Sequence, residues 1–229
     1  MHETRHRFHE ALDELERQTL GGLDLVTMQL DRALEGVGRQ EPTLTGVVVA
    51  DDDLIDRLYL AVHEGVLRLL ATQAPVAGDL RVAAALLHVI RCVERMGDQC
   101  VNIAKLVPLS GREPPQDREL LDAILRAGAL VRSQVSLAKQ TFASRDEELA
   151  RELARQDAAI DSLNRQVFSR AVDIGGDADL REWATFMVLV GRALERIGDN
   201  AVDIGEQTVF VVSGEFRELS DASHDADLD

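Results

Sequence analysis

One phrase in this chain is said twice. Arg91-Cys92-Val93-Glu94-Arg95-Met96-Gly97-Asp98, running on to Asn102-Ile103, returns about a hundred residues later. There it reads Arg192-Ala193-Leu194-Glu195-Arg196-Ile197-Gly198-Asp199, running on to Asp203-Ile204. Both copies fit R-x-x-E-R-x-G-D-x-x-x-[N/D]-I. Shorter echoes accompany it. Asp52-x-x-Ile55-Asp56-x-Leu58 matches Asp157-x-x-Ile160-Asp161-x-Leu163, and Asp79-Leu80-Arg81 matches Asp179-Leu180-Arg181. A repeat of this length confines the fold to two similar units in tandem.

The units read as helical. Apolar residues recur at intervals of three and four almost throughout, the period of a half-buried helix. Leu12, Leu15, Leu20, Leu23, Val26, Leu30 and Leu34 trace a first helix, with Gly36, Gly38 and Pro42 closing it. Asp51, Asp52 and Asp53 are expected to supply the N-cap and first-turn acids of a second, ended by Pro75. A third opens at Gly78-Asp79. Pro108, Gly111, Pro114 and Pro115 mark a linker. Three further helices are expected from Leu120 to Phe142, from Leu149 to about Val172, and from Leu180 to Val212. The expectation is an all-α fold of two pseudo-symmetric three-helix bundles, six long helices in all. The first bundle takes residues 1–109, the linker 110–118 and the second bundle 119–219. The acidic tail 220–229 is expected to be disordered.

The repeated residues are mostly acids, and their spacing is unfavourable unless they have a task. Residues four apart share one helix face, where a like-charge pair costs about 0.2–0.5 kcal/mol. Glu94, Asp98 and Asn102 are expected to form one column of oxygens; Glu195, Asp199 and Asp203 form another. Asp52 with Asp56, and Asp157 with Asp161, add acids at the same spacing on the middle helices. All-oxygen sets suit hard cations such as magnesium, manganese, calcium or ferric iron, with zinc also admissible. A solvated stripe of ion pairs competes with this reading, since Arg91 and Arg95 each stand three residues before an acid. Gly97 and Gly198 lie mid-helix, where glycine costs about 1 kcal/mol against alanine, and so are expected to mark a close approach of another helix, with a backbone opening for a ligand as the alternative.

Other chemistry is weakly signalled. Glu3 and His6 are the only Glu-x-x-His pair of the kind a di-iron bundle uses. His63 and His88 are isolated on helices and are expected to be satisfied, partly buried imidazoles. A phosphotransfer role for either remains an alternative, as does a metal-storing or di-metal redox protein on the same bundle. Cys92 and Cys100, the only cysteines, are expected as buried free thiols. No glycine-rich phosphate loop or nucleophile–base pairing can be read, so no enzyme is expected.

Composition narrows the partners. The formal net charge of −16 argues against nucleic acid and against anionic membrane surfaces, and favours cations or basic protein patches. The longest near-apolar run, residues 82–90, is too short to span a bilayer. The basic N-terminus leads into an amphipathic segment and not an apolar signal core, so a cytoplasmic location without membrane insertion is expected.

The doubled E-R-[M/I]-G-D-x-x-x-[N/D]-I phrase, the two D-L-R entries and Thr208-Val209-Phe210-Val211-Val212-Ser213-Gly214-Glu215 together resemble the PhoU family, across roughly residues 5 to 218. The resemblance implies a two-bundle protein, often a homodimer, that represses the phosphate-starvation response without enzymatic activity. It implies two partners: the ATPase subunit of the phosphate transporter and a membrane sensor histidine kinase. It also implies metal (iron, zinc, magnesium or manganese) at Glu94 and Asp98 in the first repeat and at Glu195, Asp199 and Asp203 in the second. Asp52, Asp56, Asp157 and Asp161 match the companion acids. Asn102 departs from the acidic pattern, and the first site is therefore expected to bind metal less tightly than the second.

Overall fold

In the computed structural model the described residues are 2–73, 75–111 and 116–219, with side chains from Arg5 onward. They form six helices: α1 (His2–Arg39), α2 (Thr43–Thr72), α3 (Ala77–Leu109), α4 (Arg118–Ser144), α5 (Glu147–Asp173) and α6 (Ala178–Ser213). The helices α1, α2 and α3 pack against one another, as do α4, α5 and α6, and the halves join through α3 against α6 and α1 against α4. This is the expected pair of pseudo-symmetric three-helix bundles. Part of the expected linker, residues 112–115, and the tail 220–229 lie outside the described residues.

The core follows the spacing of the apolar residues. Phe8, Leu12, Leu15, Leu23, Val26, Leu30 and Val37 are all buried along one stripe of α1. Helices α3 and α6 have wider buried faces, because each packs within its own bundle and also against the other. Trp183 and Phe142, both among the largest fully buried side chains, anchor the second half. None of the helices among the described residues is long and apolar enough to cross a membrane.

Caps explain the starts of the second-half helices. Asp117 accepts from the Leu120 N–H at 2.9 Å, Asp146 from Glu148 and Leu149, and Asp177 from Asp179 and Leu180. Each satisfies amide donors that have no partner within the helix. Helix α6 ends at Gly214, whose φ of +82° a side chain would strain.

Three boundaries differ from expectation, the first being that Pro108, expected in the linker, lies inside α3. Helix α1 runs through Gly36 and Gly38, stopping only where Gln40 turns left-handed at φ +51°. Pro42 then pre-sets the backbone for α2, which begins at Thr43, so Asp51–Asp53 lie inside the helix and cap nothing. Their partners are on α1: Arg32 pairs with Asp51, and Gln29 bonds Asp52. Acids facing a neighbouring helix had mimicked a cap.

Candidate metal-binding acidic sites

Each acidic site is organised by a buried glutamine. Gln29 on α1 donates from Nε2 to the Val48 carbonyl and to Asp52 Oδ1, both at 3.1 Å. Gln134 on α4 donates to the Leu153 carbonyl at 3.3 Å, and in both halves that carbonyl lies 19 residues on. Both glutamines are fully buried. Opposite them stand the two glycines. A β-carbon on Gly97 would lie 2.8 Å from Asp52 Oδ1 and 3.4 Å from Gln29 Oε1. On Gly198 it would lie 2.9 Å from Gln134 Oε1 and 3.2 Å from Asp157 Oδ1. The glycines do mark a close approach, and what approaches is a polar Gln–Asp pair.

Around this frame the acids gather across two helices. In the first half Asp52 and Asp56 on α2 share their field with Glu94 and Asp98 on α3. In the second, Asp157 and Asp161 on α5 do the same with Glu195 and Asp199 on α6. Burial holds the Asp52 carboxyl above the usual range, reinforced by Asp56 and Asp98 and opposed by the Gln29 hydrogen bond. Asp157 and Glu94 are raised chiefly by burial as well. Asp199 is pushed up to about 6, first by desolvation and then by Asp157 and Glu195.

The competing ion-pair stripe is partly present. Arg91 Nη1 contacts Glu94 Oε1 at 3.2 Å, and Arg192 pairs with Glu195, which also accepts from Asn164 Nδ2. Arg95 makes no ion pair with Asp98 among the described residues. The arginines therefore pair with the two glutamates; among the described residues no ion pair reaches Asp98 or Asp199, although Arg192 acts on Asp199 through space.

These oxygen-only sets suit a hard cation on one specific ground: each half leaves a buried acceptor with no donor. Among the described residues, Gln29 Oε1 and Glu94 Oε2 in the first half, and Gln134 Oε1 in the second, have no hydrogen-bond partner. An acceptor in that state costs about 1–3 kcal/mol, which a cation or a donor would relieve.

The expected third member of each column stands apart. Residues eight apart on a helix differ by about 80° around its axis, so a column of three fans away from its neighbour helix. Asn102 is exposed and reaches only Gln99, at 3.5 Å. Asp203 is influenced by His88 and Arg95 of α3, across the junction of the bundles. The reason for ranking the first site below the second therefore falls away, because neither residue completes a quartet.

Asp203 belongs to a group that the sequence reading missed. Ligand atoms of His88, Cys92 and Asp203 all lie within 4.8 Å of one another. The His88-x-x-x-Cys92 spacing was legible, but the equivalent residues in the other repeat are Leu189 and Ala193, so no duplication drew attention to it. Cys92 and Cys100 are buried free thiols as expected, and burial pushes both up. His63 lies beside Tyr59, with ring centroids 5.6 Å apart. The side chain of Glu3 lies outside the described residues; His6 is exposed and faces Glu10 at 3.3 Å.

Comparison with known proteins agrees with this architecture. The sequence model of a family described as "PhoU domain" matches residues 22–107 and again 124–208, once per bundle. A Clostridium acetobutylicum protein named "Phosphate-specific transport system accessory protein PhoU homolog" is 29% identical over 220 residues, covering 95% of this chain and 100% of the relative. A Mycobacterium leprae homolog 1 of the same name is also 29% identical, covering 93% of this chain and 96% of the relative. The crystal structure of the phosphate transport system regulatory protein PhoU from Streptococcus pneumoniae superposes with a TM-score of 0.84 at 26% identity. It covers 92% of this chain and 99% of that one. PhoU from Pseudomonas aeruginosa gives 0.81 at 26% identity, covering 91% and 100%.

Proposed function

The chain belongs to the PhoU family, and we propose that it represses phosphate-starvation signalling as an adaptor between the ATPase subunit of a phosphate transporter and a sensor histidine kinase. Its relatives are accessory and regulatory proteins of phosphate transport, and the chain is a regulator and not an enzyme. The adaptor role rests on one observation above all, the two acidic quartets held on matching frames in a chain of net charge −16. Such faces attract basic protein surfaces and speed their encounter.

Metal fits the same reading. Asp52, Asp56, Glu94 and Asp98 would hold one centre, and Asp157, Asp161, Glu195 and Asp199 the other. Bound iron, zinc, magnesium or manganese would supply positive charge to an otherwise acidic face. Without it the chain repels anions, so phosphate is sensed at the transporter or through the metal. Calorimetry should therefore detect no tight binding of inorganic phosphate to metal-free protein. Association as a homodimer in the cytoplasm completes the proposal, presenting four acidic faces per assembly.

The decisive test is a pull-down from cells grown at high and low phosphate. Wild type is compared with a variant carrying Glu94→Ala, Asp98→Ala, Glu195→Ala and Asp199→Ala. Recovery of the transporter ATPase and the kinase by wild type at high phosphate, and their loss from the variant, is the expected result. Equal recovery by both proteins would show that the acidic faces do not dock partners.

A further inference from the structure

We infer that His88, Cys92 and Asp203 form a site for one zinc-class divalent ion at the junction of the two bundles, separate from the acidic quartets. Two ligands come from α3, where a spacing of four places His88 and Cys92 on one face. The third comes from α6, the helix that packs against α3 across the junction. Their ligand atoms lie within 4.8 Å of one another. Bonds of about 2.0–2.3 Å place the ligands of a tetrahedral zinc about 3.3–3.7 Å apart, so closure needs a contraction of roughly an ångström. His88 is exposed, whereas Cys92 is fully buried.

The donor set selects the ion. Imidazole and thiolate favour zinc and its neighbours over magnesium, calcium or manganese, the ions that all-oxygen quartets prefer. Charge balance favours it too. On binding, the Cys92 thiol forms an S–Zn bond and releases its proton to solvent. The dication is then balanced by one thiolate and one carboxylate, with neutral His88 and a water completing four ligands. A neutral centre is what a partly buried junction can accommodate. Around that centre Arg95 adds positive charge acting on Cys92 and Asp203, and Glu206, one turn along α6, adds negative charge acting on Cys92 while accepting the Leu219 N–H at 2.8 Å. The site is peculiar to one side of the pseudo-symmetric chain, since the matching positions are Leu189, Ala193 and Asn102. Its consequence is structural: the ion ties α3 to α6 and fixes the two acidic faces relative to each other.

Cobalt(II) titration of the full chain, kept reduced, tests this with a signature that carboxylates cannot produce. The expected result is a thiolate-to-cobalt charge-transfer band that saturates at one cobalt per chain, whatever further cobalt the acidic quartets take up, and is bleached by added zinc. Cys92→Ser should abolish the band. His88→Ala, a change at an exposed position that preserves the core, should weaken cobalt binding at least tenfold. Asp199→Asn and Cys100→Ser should leave the band intact. Absence of the band from folded wild-type protein at excess cobalt would overturn the inference. So would its survival in Cys92→Ser, or its loss in Cys100→Ser or Asp199→Asn with the fold intact by circular dichroism.

Discussion

Gly198 and Gln134 are paired by close approach: a β-carbon on the glycine would sit 2.9 Å from the buried Gln134 Oε1. Gly97 stands in the same relation to Asp52 Oδ1, at 2.8 Å. Helix propensity alone would make Gly198→Ala stabilising by about 1 kcal/mol. The contact reverses that sign, because the Gln134 carboxamide is held in place by its bond to Leu153. A net destabilisation of about 1 kcal/mol is expected in urea unfolding. A stabilised variant would show that the carboxamide can yield freely.

The raised Asp199 carboxyl sets a pH dependence for metal-free protein. Its folded pKa of about 6 lies above that of an ordinary aspartate, so the folded state binds the proton more tightly. Stability from this group is fully present below about pH 4 and is lost as pH rises through about 6. Asp199→Asn should therefore stabilise chelator-treated protein at pH 7.5, by about 1 kcal/mol once solvent screening is allowed for. The advantage should vanish near pH 4. An equal effect at both pH values would refute the assignment.

The α1–α4 junction carries several ion pairs of unequal worth. Arg145 Nη2 meets Glu16 Oε2 at 2.6 Å with side chains only 25% and 19% exposed, and its guanidinium lies 4.3 Å from the Phe142 ring centroid. Arg132 meets Asp31 at 2.7 Å with side chains 51% and 46% exposed. Arg145→Ala should cost about 1–2 kcal/mol, from the charge-assisted bond and the ring contact. Arg132→Ala should cost less than about 0.5 kcal/mol. Comparable losses in thermal unfolding would contradict this ranking.

Asp146 caps α5 through two amides, Glu148 at 2.8 Å and Leu149 at 3.2 Å. Asp146→Ala should cost about 1 kcal/mol, while Asp146→Asn should retain most of that stability. Hydrogen exchange at the first turn of α5 would localise the loss.

Much of this protein is legible in its sequence. The spacing of Leu12, Leu15, Leu23, Val26 and Leu30 specified a buried stripe, and the twin phrase specified two equivalent helices, because helical periodicity is local and needs only 3.6 residues per turn. The same logic placed Glu94 with Asp98 and Glu195 with Asp199. It failed where a neighbouring helix decides: Asp51–Asp53 resembled a cap but pair with Arg32 and Gln29 of α1.

Tertiary structure alone decided which faces meet. No local pattern distinguishes Gln29 or Gln134 from a surface glutamine, and both prove to be buried organisers of the acidic sites. Nor does any local pattern bring Asp203 to His88 and Cys92 in place of Asp199. Over eight residues a helix turns about 80° away from its starting face. The repeated acids were therefore a property of the sequence, and the division of Asp203 from its own motif was the work of α3 packing on α6.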